Sequence, residues 1–155
     1  VESEIGKTEG LGLLPVVTEF ETNKFTTVTE GIESLFNTKV RGYEIHMGKT
    51  FSDEGNIAFT SITSRNGKAE SSHEGAASKD MSVFGTYLHG IFDNSEFTRK
   101  FLNRVRELKG LEPLTTVPEN YWDYKEAQYD RLADIVRKSL DMDRIYRILE
   151  EGIDA

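Results

Sequence analysis

The sequence predicts an α/β protein in which a β-rich half, residues 1–92, precedes a helical half, residues 93–155. Three observations carry that reading. Short runs rich in Thr, Val, Ile and Phe, punctuated by Gly and Asn, fill the first half. After Asp93 the apolar residues recur at helical spacing. Between the halves, Gly85-Thr86-Tyr87-Leu88-His89-Gly90-Ile91-Phe92 puts one histidine at the end of an apolar run, with glycine directly after it. Open α/β sheets keep their chemistry beyond the strand ends, which makes His89 the first candidate functional residue.

Gly10-Leu11-Gly12-Leu13-Leu14-Pro15 reads as a turn with a buried apolar centre, closed by a proline that disfavours helix. Lys24 to Thr29 predicts a strand and Gly31 to Asn37 a break. Lys39 to His46 alternates, with Val40, Gly42, Glu44 and His46 on one face and Arg41, Tyr43 and Ile45 on the other. The Glu44 and His46 pair fits an edge-strand ion pair of little energetic weight, or one wall of a polar pocket; spacing leaves both open. Asn56 to Thr63 predicts a further strand, turned by Arg65-Asn66-Gly67, because Asn-Gly is the strongest short hairpin signal. Ser71 to Asp80 is polar and predicts a loop that leaves His73 on a solvated surface. Val83 to Leu88 predicts one apolar strand that delivers His89.

Asp93-Asn94-Ser95 offers N-cap chemistry to a helix bearing Phe97, Phe101, Leu102, Val105 and Leu108, ended by Gly110. Leu111 to Tyr121 carries two prolines and predicts a connector. Tyr124 to Leu140 predicts a second helix with Leu132, Val136 and Leu140 on one stripe. Asp141 caps a last helix with Met142, Ile145, Tyr146 and Leu149 inward and Gly152 at its end.

Hydrophobic residues at 37% and charged residues at 30% exclude a disordered chain. A net charge of -8 repels phosphate backbones and argues against nucleic acid as a partner. No apolar run approaches the ~20 residues needed to cross a bilayer, and Val1-Glu2-Ser3-Glu4 does not open a signal peptide. These features fit a cytoplasmic protein without a membrane. The chain has no Cys, which removes disulfides, thiolate metal sites and thiol nucleophiles. Three His without paired spacing give no zinc motif. There is neither a phosphate-binding Gly-rich loop ending in Lys-Ser or Lys-Thr nor a Gly-x-Ser-x-Gly elbow. His89 therefore has the chemistry of a general base without an evident nucleophile beside it in this chain.

Several motifs occur in a telling order. They are the Gly10 to Pro15 run, Val40 with Gly42-Tyr43-Glu44-Ile45-His46-Met47-Gly48, and Gly85 to Asn94 around Tyr87-Leu88-His89-Gly90. Tyr129-Asp130-Arg131-Leu132-Ala133 and Leu140-Asp141-Met142-Asp143 follow. From first residues to last helix, the set resembles the C-terminal glutamine amidotransferase domain of the cobyric acid synthase family. The run from Gly42 to Gly48 is its most specific piece; Tyr87 to Gly90 is shared with cobyrinic acid a,c-diamide synthases.

The resemblance implies the C-terminal part of a single flavodoxin-like, class I amidotransferase domain, with a mixed sheet followed by packed helices. It implies ATP-dependent amidation of peripheral carboxylates of adenosylcobyrinic acid a,c-diamide in cobalamin biosynthesis. This domain would hydrolyse glutamine. A Cys thiolate attacks the side-chain amide, a histidine shuttles protons, and ammonia leaves for a synthetase domain where ATP and magnesium activate the acceptor. His89 matches the family's histidine. Tyr43, Glu44 and His46 match its pocket-side strand, which implies substrate positioning. No cofactor or metal site is implied within residues 1–155.

The nucleophilic Cys has no counterpart, and the resemblance places its elbow just upstream of Val1-Glu2-Ser3. The expected partners are thus glutamine, the elbow and synthetase segments and, indirectly, a corrinoid acceptor; the isolated chain is expected to be inactive. Related amidotransferases carry Glu two residues after the histidine. That position is Ile91 here, which leaves Asp93 as the candidate substitute. A sheet lacking its first strands is expected to expose apolar surface or to pair with another chain. The competing readings are an amidotransferase with another acceptor, such as cobyrinic acid or a cell-wall precursor, and a catalytically dead interaction module.

Overall fold

The computed structural model describes residues 6–52, 57–116 and 119–153. The chain divides into two compact units, Val1–Pro118 and Glu119–Ala155. In the first unit, β1 (Val16–Glu33), β2 (Lys39–Ser52), β3 (Thr60–Arg65), β4 (Lys68–Glu74), β5 (Ala76–Ala77), β6 (Phe84–Gly85) and β7 (Leu88–His89) precede a 3-10 turn (Ile91–Asp93) and α1 (Ser95–Leu108). One sheet has the order β4-β3-β1-β2-β7, and β5 and β6 form a ribbon. The β-rich half thus precedes the helical half, as the sequence predicts. Every strand pairing among the described residues is antiparallel, where the family resemblance implies a mixed sheet.

β1 runs straight through Gly31, where a break was expected. A Cβ at Gly31 would lie 2.6 Å from the Ser61 carbonyl oxygen and 2.7 Å from Thr60 Cγ2. Glycine there admits the close approach of β3 rather than ending the strand. The reversal is confined to residues 34–38 and organised by Glu33, which is fully buried. Its Oε2 accepts from the Leu35 and Phe36 amides at 2.7 and 3.0 Å, and its Oε1 from the Thr38 amide and hydroxyl at 2.7 and 2.5 Å.

The Asn66-Gly67 hairpin forms as predicted, with φ of 49° and 74°. β3 begins at Thr60; Ile57 makes an isolated bridge to Ala77, and Asn56 lies outside the described residues. Of the predicted loop over Ser71 to Asp80, residues 71–74 are instead the second half of β4 and residues 76–77 are β5, while Ser78 to Asp80 stays outside any strand. Its polarity reflects an edge strand open to water. His73 is exposed, on β4 rather than on a loop. The predicted strand Val83 to Leu88 is split into β6 and β7, where the Tyr87 amide bonds the Glu74 carboxylate and the Leu88 amide bonds the Thr86 hydroxyl instead of continuing one strand. Leu11 and Leu13 do not form a buried centre; Leu11 is 90% exposed.

The core joins Val40, Phe59, Ala77, Leu88, Ile91 and Phe97. Phe97 docks α1 through ring contacts with Phe36, Phe59 and Phe92, and stacks on Phe101 one turn along the same helix. Gly110 (φ 68°) follows α1 as predicted.

In the second unit, α2 (Tyr121–Ser139) starts earlier than Tyr124 because Asn120 caps it, accepting from the Trp122 amide at 2.9 Å. Asp141 caps α3 (Met142–Glu151) as predicted, accepting from the Arg144 amide at 3.0 Å. Leu132, Val136, Leu140, Tyr146 and Leu149 are exposed, not inward; Leu149 reaches 74%. No helix among the described residues is long and apolar enough to cross a membrane.

Candidate active site

β2 is the strand on which the candidate residues assemble. Tyr43 stands opposite His89 in the register, and Glu44 opposite Leu88. Residues opposite one another share a face of the sheet, and successive residues alternate. The register therefore sorts the candidates into two groups. His89 and Tyr43 lie together on the outer face and are exposed. Leu88 and Glu44, with 4% and 3% exposure, point inward, as does His46.

The seating of β7 on β2 depends on Gly42. A Cβ there would overlie the His89 carbonyl oxygen and lie 3.6 Å from Leu88 Cβ. Just beyond β7, Gly90 takes a left-handed conformation (φ 78°). The chain then returns to β2 through Asn94, whose Oδ1 accepts from the Arg41 amide and whose Nδ2 donates to the Arg41 carbonyl, both at 2.9 Å. Asn94 is the N-cap residue of α1, but its side chain serves β2 rather than the helix.

On the inner face, Glu44 Oε2 accepts from Arg65 Nε at 2.8 Å and from the Thr29 hydroxyl at 3.2 Å. Its Oε1 accepts from Arg65 Nη2 at 3.2 Å and faces His46 Nε2 at 3.1 Å. Arg65 also donates to Ser72 Oγ at 2.7 Å and pairs with Glu70. Burial alone would raise the Glu44 carboxyl, but hydrogen bonds from Arg65 and His46 outweigh it and hold it below its ordinary value. The Glu44–His46 contact is thus part of a buried, bidentate arginine cluster and not an exposed edge pair.

His46 Nδ1 lies 2.6 Å from the Gly48 carbonyl oxygen. Both ring nitrogens therefore face acceptors, and both contacts are hydrogen bonds only when both nitrogens carry protons. The ring stacks on Tyr87 at 4.2 Å and leans on Phe25 at 5.5 Å. The Tyr87 hydroxyl is tied to Thr50 Oγ1 at 2.5 Å.

Glu74, at the end of β4, is 6% exposed. Its Oε1 accepts from the Thr86 hydroxyl at 2.7 Å and its Oε2 from the Tyr87 amide at 2.9 Å. Thr86 Oγ1 in turn accepts from the Leu88 amide at 3.0 Å. Burial pushes the Glu74 carboxyl up. In the sequence, Arg65 belongs to a predicted turn and Glu74 to a predicted loop, and neither carries a functional signal. Arg65 lies 21 residues from Glu44, and no local pattern links them.

Asp93 lies against Gly90, whose carbonyl accepts from the Asp93 amide at 2.9 Å. Among the described residues, no group of three or more His, Cys, Asp or Glu side chains is arranged to hold a metal ion.

Residues 1–97 match the family of the CobB/CobQ-like glutamine amidotransferase domain. The chain is 52% identical to the cobyric acid synthase of Clostridium novyi over 99% of its own length and 30% of that protein. It is 46% identical to the cobyric acid synthase of a Thermoanaerobacter species, again over 99% of this chain and 32% of the relative. With that of Yersinia enterocolitica the identity is 39%, over 97% of this chain and 31% of the relative. The chain spans less than a third of the length of these curated relatives.

Proposed function

The chain belongs to the family of CobB/CobQ-like glutamine amidotransferase domains, and from that premise we propose that it contributes the proton-transfer side of a glutamine-hydrolysing site in a cobyric acid synthase. The observation that carries the reading is the placing of His89. It ends a two-residue strand with its neighbour Leu88 buried and Tyr43 beside it on the open face. That supplies a rigidly based imidazole with a free approach for substrate.

The chemistry is acyl transfer. A cysteine thiolate attacks the side-chain amide carbon of glutamine. His89 delivers a proton to the leaving nitrogen, ammonia departs and a γ-glutamyl thioester remains. His89 then takes a proton from the water that cleaves the thioester to glutamate. Tyr43, on the same face, positions the glutamine. Glu44 and His46 act from the inner face, where they hold the Tyr87 ring next to the segment that presents His89. The thiolate comes from another part of the full gene product, because residues 1–155 contain no cysteine. The ammonia amidates carboxylates of a corrinoid acceptor, which a synthetase region activates with ATP and magnesium; no step within residues 1–155 uses them.

Glutamate release from glutamine tests the proposal. In the full gene product, His89→Ala is expected to lower turnover by about 10²–10⁴-fold, the usual contribution of a positioned acid–base group. Isolated residues 1–155 are expected to release no glutamate above their own His89→Ala control. Wild-type turnover by the full-length His89→Ala variant overturns the reading.

A further inference from the structure

Glu74 is a buried carboxylate that the hydrolysis scheme leaves unused. It holds no substrate-facing position, yet its two oxygens address the three residues that precede His89. Oε2 takes the Tyr87 amide, and Oε1 takes the Thr86 hydroxyl, whose oxygen takes the Leu88 amide. β7 contributes only Leu88 and His89 to the sheet. Gly90, next to His89, takes the left-handed conformation open to glycine, with its carbonyl accepting from the Asp93 amide at 2.9 Å. Downstream, the strand is anchored by the buried Ile91 and by the Asn94 side chain on Arg41; a strand this short needs a matching restraint upstream, where Thr86 and Tyr87 leave the sheet. Glu74 supplies it from β4, at the opposite edge of the sheet order from β7. The neighbouring Gly75 makes the approach possible, because a Cβ there would lie 2.9 Å from Phe59 Cβ and on the Gly85 carbonyl oxygen.

We propose that Glu74 is the positioning residue of His89, fixing the Thr86–Leu88 backbone through the Thr86 hydroxyl so that the imidazole is held where proton transfer occurs. This rests on the general-base reading of His89 given above. A positioning role has a distinctive signature. Glutamine at position 74 can keep both contacts, its amide oxygen accepting from Tyr87 and its amide nitrogen donating to Thr86 Oγ1, which still accepts from Leu88. Alanine keeps neither. Thr86→Val removes the relay while leaving Glu74 in place.

The test is steady-state glutamine hydrolysis by the full gene product carrying Glu74→Ala, Glu74→Gln, Thr86→Val or His89→Ala. Glu74→Ala and Thr86→Val are each expected to lower kcat by about 10- to 100-fold, with KM for glutamine held within about twofold, the mark of lost orientation rather than lost binding. Glu74→Gln is expected to stay within about threefold of wild type, since geometry and not charge is at stake. Where Glu74→Ala does not fold, Thr86→Val carries the test. Folded Glu74→Ala or Thr86→Val protein with wild-type kcat, beside an inactive His89→Ala, overturns the positioning role and leaves the general-base reading intact. A Glu74→Gln variant as impaired as Glu74→Ala also overturns it. An active His89→Ala variant overturns both.

Discussion

Two buried glutamates close to this site have opposite electrostatics. Glu44 is held below its ordinary 4.5 because Arg65 and His46 outweigh its burial, whereas burial dominates at Glu74 and raises it above 4.5. A lowered carboxyl adds stability that is full above its unfolded value and lost as pH falls through the folded one. A raised carboxyl adds stability that is full below its unfolded value and lost as pH rises through the folded one. Relative to wild type, Glu44→Gln should therefore lose stability as pH climbs to 4.5, and Glu74→Gln should gain it as pH climbs beyond 4.5. Denaturant midpoints across that range check both slopes; curves parallel to wild type would contradict the assignment. Arg65→Met leaves the Glu44 charge buried without its bidentate partner and should cost roughly 3–5 kcal/mol at neutral pH. Little of this was legible beforehand. The alternation of β2 put Glu44 beside His46, but nothing local marks the arginine that pairs with Glu44, because the bonding follows strand register across separate segments.

At the scale of elements, glycines decide how closely strands meet. Gly42 takes β7 onto β2 with no room for a methyl group above the His89 carbonyl. Gly42→Ala should destabilise the protein by about 1–3 kcal/mol through overpacking and should also lower glutamine turnover, because the strain falls on the backbone of His89 itself. Thermal unfolding and kcat measured together check this; a stability loss with kcat unchanged would show that β7 adjusts without moving the imidazole. Phe97→Ala should cost about 3–5 kcal/mol, since its fully buried ring docks α1 on the core. The Asp141 cap, the glycine end of α1 and the Asn-Gly hairpin were readable from sequence because each is a short-range device; the Asn120 cap of α2 was not, and the Asn94 side chain turned to β2 instead of capping α1. The strands were less readable. β4 was hidden by its polarity, and the apolar run before His89 concealed the turn between β6 and β7 that Glu74 organises.

At the scale of the whole molecule, much apolar surface has no cover. Val17, Phe20, Phe25 and Phe51 are exposed on the far half of the β1–β2 ribbon, where β3 and β7 no longer flank it. α2 and α3 expose Leu132, Ile135, Tyr146 and Leu149. An uncovered ribbon with open edges templates further pairing. Isolated residues 1–155 should therefore self-associate, and Val17→Lys with Phe51→Lys should reduce that association. Sedimentation velocity checks it; a monomer with no concentration dependence would argue that the exposed side chains are inert. The relatives, of which the chain spans only about 30–32%, have ample sequence to meet such a surface.

The α/β class, the order of a β-rich half before helices, the Asp141 cap, the alternation of β2 and the family are legible in the sequence. Each of these is written in neighbouring residues, through propensity, periodicity or contiguous motif. Only the tertiary structure decided that His89 and Tyr43 share the open face while Glu44 and His46 lie inside, that Arg65 neutralises Glu44, and that Glu74 reaches the backbone before His89. Those outcomes depend on which strands pair and in what register. A shift of one residue turns every side chain to the other face, and local sequence carries no record of the partner strand.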